Sequence, residues 1–196
     1  MTDLERPSSS LSGVRYGAVV RHADARGAFR ELWRASSVPP AGIPAELAGV
    51  DGARFVQANL SSSTAGVLRG LHYHRRQLDR WIVASGRAFV ALVDVRPAAA
   101  GTGPSVVETR TLEADDWVQI PTGVAHGFLA LEPLELVYFV TAEFDASDEL
   151  GFAWDDPAVG VPWPLPIGAT ADGRPILSER DRSNPTLVEL VTRVRG

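Results

Sequence analysis

The chain has 196 residues, 45% hydrophobic and 22% charged, with a formal net charge of −5; this is ordinary for a globular domain and argues against a broad nucleic-acid surface. It contains no cysteine, and its 19 basic residues are all arginine, which excludes disulfides, thiolate nucleophiles, cysteine-ligated zinc and Schiff-base chemistry on lysine. Met1–Gly13 is polar and lacks the apolar stretch of a signal peptide, and no apolar run reaches the length of a membrane span. The expectation is therefore a cytoplasmic protein with neither a membrane nor a nucleic acid as partner.

Residues 1–12 read as a flexible polar leader and 13–196 as a single domain. Short runs rich in Val, Phe, Tyr and Trp then recur between turn residues. Strands are expected over Val14–Arg21, Phe29–Arg34, Arg54–Leu60, Val67–His74, Arg80–Ala84, Arg87–Arg96, Val106–Leu112, Trp117–Ile120, Gly127–Leu131 and Leu134–Phe144. Their spacing suits an all-β sandwich or barrel. Ser36–Gly52, with three prolines, reads as a long excursion. Ser85-Gly86 reads as a tight hairpin turn. The apolar middle of Arg87–Arg96 marks a central strand buried on both faces. Pro97–Pro104 reads as a surface loop, and Ala153–Pro175 lacks periodicity. Asn184-Pro185 is a good helix start, and Leu187, Val188, Leu190, Val191 and Val194 have helical spacing.

The chemistry concentrates in Gly66–Gly86, GVLRGLHYHRRQLDRWIVASG, and in Pro121-Thr-Gly-Val-Ala-His126. His72 and His74 are two apart, so on a strand they share one face and Tyr73 takes the other. Leu68 and Gly70 have the parity of His72 and would suit a tight interior. Arg69 has the opposite parity, unless a bulge at Gly70 redirects it. A returning strand would bring His126 beside the pair. Imidazole, guanidinium and carboxylate together can hold an anionic substrate and move a proton, or hold a metal. On local evidence alone Tyr138 is a core aromatic, Asp181 a solvated charge, and Asp155 and Asp156 are turn formers.

Several further segments fall in register with these. They are Asp24-Ala-Arg-Gly27 with Phe29 and Glu31, Gln57-Ala-Asn59, Val93-Asp-Val-Arg96, Trp154-Asp-Asp-Pro157, Trp163-Pro164 and Leu177-Ser-Glu-Arg-Asp181. In these residues the chain resembles the dTDP-4-dehydrorhamnose 3,5-epimerase family, a branch of the cupins. The resemblance implies a double-stranded β-helix, or jelly-roll, with short helical segments near the C-terminus. It implies a homodimer with exchanged N-terminal strands, a nucleotide-diphosphate sugar as partner, and no cofactor. The implied activity is epimerisation of a nucleotide-linked 4-keto-6-deoxy hexose at C3, C5 or both, in deoxysugar biosynthesis. By position His72 would be the base, Asp181 its orienting partner and Tyr138 the acid on the opposite face. Arg26, Phe29, Glu31, Gln57, Asn59, Arg69 and His126 would bind substrate.

One departure keeps other readings open. The family pattern has a lysine that stabilises the enolate oxygen, and the aligned position here is Asp79. That role would pass to Arg69, Arg75, Arg76 or Arg80. The spacing Gly66-x5-His72-x-His74-x4-Asp79-x6-Gly86, with Pro121-x-Gly-x2-His126, also matches metal-binding cupin motifs. His72, His74, Asp79 and His126 would then form a site for Fe, Mn, Ni or Zn. Alternatively Asp79 pairs with Arg75 or Arg80 at the rim. A metal-dependent cupin and a non-catalytic sugar-nucleotide-binding relative are thus the alternatives to the epimerase.

Overall fold

The structure is a computed structural model, and it describes residues 6–34, 55–168 and 170–195. The chain folds into two antiparallel sheets packed face to face. The strands are β1 (Arg6–Pro7), β2 (Arg15–Ala18), β3 (Arg21–Asp24), β4 (Gly27–Arg30), β5 (Gln57–Ser63), β6 (Leu68–Tyr73), β7 (Asp79–Ser85) and β8 (Ala88–Asp94). After the short helix α1 (Arg96–Ala100) come β9 (Val106–Leu112), β10 (Asp116–Ile120), β11 (Val124–Ala130), β12 (Leu134–Val140) and β13 (Leu150–Gly151). Helices α2 (Glu179–Arg182) and α3 (Leu187–Arg195) follow. The six-stranded sheet has the order β1-β2-β10-β7-β12-β5 and the five-stranded sheet β13-β6-β11-β8-β9. Consecutive strands that change sheet in this way make the expected jelly-roll.

Strand alternation divides the side chains among three apolar layers. Trp81 and Val83 of β7, Leu134 and Leu136 of β12, Val90 and Leu92 of β8 and Phe128 of β11 fill the space between the sheets. Leu68, Leu71, Tyr73, Ala91, Val93 and Leu129 point to the other face of the five-stranded sheet. The C-terminal segment covers that face with Phe152, Trp154, Trp163, Leu187 and Leu190. β8 and β11 are therefore buried on both sides, as the sequence leads one to expect for β8. The outer face of the six-stranded sheet carries a smaller cluster of Val19, Ile82 and Trp117.

Several boundaries differ from expectation. Residues 6–12 are tied to the body: β1 pairs with β2, Leu11 is buried in the inter-sheet core, and the Ser8 hydroxyl donates to Glu108 at 2.5 Å. Ser85-Gly86 joins no hairpin, because β7 and β8 belong to different sheets. It is a corner, where Gly86 adopts φ +86° and any Cβ would meet the Pro133 carbonyl oxygen at 2.2 Å. The surface segment after β8 begins with helix α1, which places Pro97 in its first turn, where a missing N–H costs nothing. The C-terminal helix starts at Leu187, two residues after Pro185. Thr186 and Glu189 form its capping box, and Asp156 Oδ2 accepts from the Leu187 N–H at 2.7 Å. The excursion over 36–52 lies outside the described residues.

The feature that positions the site is a bulge in β6. β11 pairs His126 with His72 but Phe128 with Arg69, so the register slips by one residue between them. Gly70 absorbs the slip at φ +126°, with its Cα packed so close to β11 that a Cβ would stand 2.6 Å from Gly127 Cα and 2.8 Å from the His126 carbonyl oxygen. The slip resets the alternation. Arg69, His72 and His74 end on the cavity side, while Leu68, Leu71 and Tyr73 end in the outer core. Leu68 thus leaves the face that simple parity assigned to it, and Arg69 takes the redirected position. Gly70→Ala is expected to lower stability by about 2–4 kcal/mol through strain and overpacking, read as a shifted urea midpoint. Gly103→Ala, whose Cβ would meet only Pro97 at 3.9 Å, is the control and is expected to change little.

Candidate active site

Between the two sheets lies a cavity of about 320 Å³, lined by residues from both, among them Ser61, Arg69, His72, His74, Asp79 and Tyr138. Trp81 and Phe128 wall it on one side in edge-to-face contact at 5.6 Å. β6 and β11 of one sheet supply Arg69, His72 and His126. β7, β12 and β5 of the other supply Asp79, Trp81, Tyr138 and Ser61.

His72 is 24% exposed at its side chain, and its Nε2 lies 2.7 Å from Asp181 Oδ1. Asp181 comes from 109 residues away. Its aim is set by helix α2, in which Ser178 is the N-cap. The Ser178 hydroxyl accepts from the Asp181 N–H at 3.1 Å and donates to Asp181 Oδ2 at 2.8 Å, a reciprocal cap. One carboxylate oxygen is thereby held by the cap and the other is left for His72. Burial alone would raise the Asp181 carboxyl, but the hydrogen bond and charge of His72, the Ser178 hydroxyl and Arg180 together hold it below its ordinary value. An ionised Asp181 fixes the His72 proton on Nε2 and leaves Nδ1 as the basic nitrogen.

Tyr138 lies on β12, cross-strand from Trp81 on β7 and Asn59 on β5. Burial, then the charges of Asp79 and Glu149, raise its phenol above the usual value against the opposing effect of Arg69. The phenol is a neutral donor at neutral pH. Arg69 donates from Nε to the Ser63 hydroxyl at 3.2 Å and from a terminal nitrogen to the Ser62 carbonyl at 3.2 Å, which braces it across to β5.

The remaining cavity groups sit deeper. His126 is 3% exposed and donates Nδ1–H to the Val124 carbonyl at 3.1 Å. Burial is the main reason its pKa falls to about 4, with Asp79 opposing. His74 donates Nδ1–H to the Asp148 carbonyl at 3.0 Å. The Asp148 carboxylate also accepts from the backbone N–H groups of Arg75 and Arg76. Asp79, also 3% exposed, accepts from Gln77 Nε2 at 2.7 Å and Trp81 Nε1 at 3.2 Å.

The structure therefore brings Arg69, His72, His126 and Tyr138 together around one cavity, with Asp181 behind His72. Gln57 and Asn59 share the inner face of β5 with Ser61 by alternation, and Gln57 donates to Asn59 at 2.9 Å. Arg26, Phe29 and Glu31 do not reach the cavity. β3 and β4 pair only with each other among the described residues; Phe29 is 67% exposed, Arg26 pairs with Asp24 and Glu31 with Arg34. The expected metal set of four is split, because His72 Nε2 is committed to Asp181 while donor atoms of His74, Asp79 and His126 lie within 4.8 Å of one another. Asp79 is buried among Gln77 and Trp81 and is no rim partner for arginine. Arg75 turns to Asp148, Arg76 to Asp145, and Arg80 stacks over Trp117 at 4.1 Å. Of the four arginines considered for an oxyanion, Arg69 is the one that lines the cavity.

Some lining residues had no signal in isolation. Trp81 could have been found from the two-residue spacing to Asp79; Asp181, already expected from the resemblance, stands behind His72 and also carries the Ser-x-x-Asp capping pattern. Glu149, from an irregular segment, and Arg180, from the one-turn helix α2, pair at 2.6 Å and carried no signal.

The chain is similar to known proteins along nearly its whole length. Residues 8–189 match the family described as dTDP-4-dehydrorhamnose 3,5-epimerase. The chain is 32% identical over 192 residues to the dTDP-4-dehydrorhamnose 3,5-epimerase of Sinorhizobium fredii, covering 93% of this chain and 89% of that protein. It is 34% identical over 157 residues to the spore coat polysaccharide biosynthesis protein SpsL of Bacillus subtilis, covering 78% and 96%. Among solved structures, NovW, a 4-keto-6-deoxy sugar epimerase from the novobiocin gene cluster of Streptomyces spheroides, superposes with a TM-score of 0.78 at 28% identity over 100% of this chain and 92% of its own. The Legionella pneumophila epimerase RmlC in complex with dTDP-4-keto-L-rhamnose gives a TM-score of 0.78 at 27% identity over 98% and 97%. With its jelly-roll, its cavity between the sheets and these matches along nearly its whole length, the chain belongs to the dTDP-4-dehydrorhamnose 3,5-epimerase family.

Proposed function

We propose that this protein is an isomerase that epimerises a thymidine-diphosphate-linked 4-keto-6-deoxy hexose at C3, C5 or both, in deoxysugar biosynthesis. The observation that carries the reading is the His72–Asp181 pair at 2.7 Å on one sheet with Tyr138 on the sheet opposite. Hydrogens on carbons beside a ketone are acidic because the carbanion delocalises onto oxygen as an enolate. His72 Nδ1 removes such a hydrogen, and Asp181 supports the imidazolium that forms. Tyr138 returns a proton from the other ring face, so the centre inverts. Arg69 supplies positive charge for the developing oxyanion, with His126 beside it. A base in hydrogen-bond reach contributes roughly 10²–10⁴-fold and an oriented oxyanion donor about 10²–10³-fold. Each proton movement uses side chains of this chain alone.

The exposed β3–β4 hairpin fits a role in a second copy. It carries Arg26, Phe29 and Glu31 away from its own cavity and is anchored at its base by the Arg30–Asp115 pair. In a homodimer with exchanged N-terminal strands, Arg26 would meet the diphosphate and Phe29 would cover the base of the nucleotide in the partner's cavity. No described helix is long and apolar enough to cross a membrane, consistent with a cytoplasmic enzyme.

Incubation with the 4-keto-6-deoxyglucose nucleotide in heavy water, followed by NMR, tests this reading. The native protein is expected to place deuterium beside the ketone. His72→Ala is expected to abolish uptake, and Asp181→Asn to slow it by about 10²–10⁴-fold. Tyr138→Phe should alter product stereochemistry more than exchange. Full exchange in His72→Ala would remove the proposal.

The donor state of Tyr138 has its own check. All three tyrosines are raised above the usual value, chiefly by burial, and Tyr16 also by its hydrogen bond to Glu108. The folded chain holds these protons more tightly than a free phenol, which is half ionised at about pH 10. The unfolded chain binds fewer protons there, so stability falls as pH rises above about 10. Absorbance at the tyrosinate band should stay low in the folded protein at that pH and rise with unfolding.

A further inference from the structure

His74, Asp79 and His126 stand beside the His72–Asp181 pair but take no part in it. All three are buried, and the two rings are 5.3 Å apart. Each imidazole spends its Nδ1–H on a backbone carbonyl, of Asp148 and of Val124. In the neutral ring this leaves a bare Nε2 as the remaining donor atom. His126 Nε2 lies 3.4 Å from Asp79 Oδ2. That is long for an N–H···O hydrogen bond, and two lone pairs facing each other repel. Two donors each about 2.1 Å from a shared ion at a tetrahedral angle stand about 3.4 Å apart. One donor atom from each of the three residues lies within 4.8 Å of the others.

The surroundings hold these groups in place. Gln77 donates to Asp79 Oδ1 at 2.7 Å and Trp81 to Asp79 Oδ2 at 3.2 Å. Imidazoles pinned through Nδ1 by carbonyls, and a carboxylate pinned by outer donors, are the supports that orient metal ligands. Glu149 Oε1, 3.8 Å from His74 Nδ1, adds a further negative charge, which Arg180 shares.

We propose that His74, Asp79 and His126 bind one divalent first-row transition-metal ion, with open coordination positions facing the cavity and His72 outside its ligand set. Two imidazoles and one carboxylate suit Fe, Mn, Co, Ni or Zn and are too rich in nitrogen for Mg or Ca. The use of the ion rests on the epimerase reading: Asp79 puts a buried negative charge into a cavity where an enolate develops, and a dication offsets both. Binding itself does not depend on that reading.

Protein made without an affinity tag, stripped with chelator and dialysed, is titrated with Co²⁺ and followed by visible absorption and elemental analysis. One equivalent is expected to bind, with a ligand-field spectrum of mixed nitrogen and oxygen donors. Asp79→Asn and His74→Gln should lose it, Trp81→Phe should weaken it about tenfold or more, and His72→Gln should keep it. Thermal unfolding of each metal-free variant reports whether it folds; should Asp79→Asn fail to fold, His74→Gln carries the comparison. Absence of saturable binding in the native protein, binding unchanged in His74→Gln, or equal loss in His72→Gln overturns the site. Saturable binding with no deuterium exchange in either the stripped or the loaded protein would uphold the site and sink only the epimerase reading.

Discussion

The arrangement depends on one close contact between two backbones. β6 and β11 approach at Gly70 and Gly127, where neither strand has a side chain to keep them apart. The extra residue that Gly70 accommodates shifts the alternation of β6 by one. Without the slip, an unbroken strand that keeps Leu71 and Tyr73 in the outer core would also turn Arg69 into that core and swing Leu68 toward the cavity. A buried, unpaired guanidinium is among the costliest errors a core can contain. With the slip, apolar residues on both sides of Gly70 stay in one layer and polar ones in another. The same distortion therefore serves stability and chemistry, and a Cβ at either glycine would disturb both.

The second constraint is electrostatic. The cavity gathers histidines and acidic groups close together, where unlike roles must be kept apart by hydrogen bonds rather than by distance. Two segments outside the sheets do this. The Ser178–Asp181 turn gives its carboxylate to His72 Nε2 and so leaves Nδ1 basic. The loop through Asp148 gives a backbone carbonyl to His74 Nδ1 and so leaves Nε2 as the donor atom. His72 near the end of β6 and His74 just past it are thus presented through opposite nitrogens. The cavity can hold a proton-transfer pair and a separate set of metal-capable donors without the two competing for one imidazole.

The sequence carried the parts of this picture that depend on period and left out those that depend on distant segments. Two-residue alternation along β11 is regular and β8 is an unbroken apolar run up to Asp94, so the inward face of His126 and the burial of β8 follow from the sequence. β6 is not regular, and its parity misassigned Leu68; only the presence of Gly70 hinted at the slip. Gly86 punctuates the chain as a turn would, but a corner between sheets and a hairpin within one use the same residue, and nothing local distinguishes them. Asp181 read as a solvated charge because its partner is 109 residues away. Asp79 read as a rim charge or a ligand, and its burial comes from Trp81 and Gln77 folding over it. Arg26 and Phe29 belong to a hairpin whose strands pair only with each other among the described residues, so neither spacing nor sheet register places them at the cavity.

The placement of the proposed base and acid on different sheets has a chemical consequence. Inversion at carbon requires removal and return of a proton at opposite faces of a planar enolate. Two groups on neighbouring strands of one sheet stand about 5 Å apart and look the same way, so they would favour return to the face just vacated. A jelly-roll brings two sheets together at about 10 Å, which leaves room for one sugar ring between them. His72 sits on the sheet that is buried on both faces and backed by the C-terminal segment. Tyr138 sits on β12, which is paired on both sides, by β7 and by β5. The proposed base is thus oriented by its hydrogen bond to Asp181, and the proposed acid by its place on a paired strand of the opposite sheet.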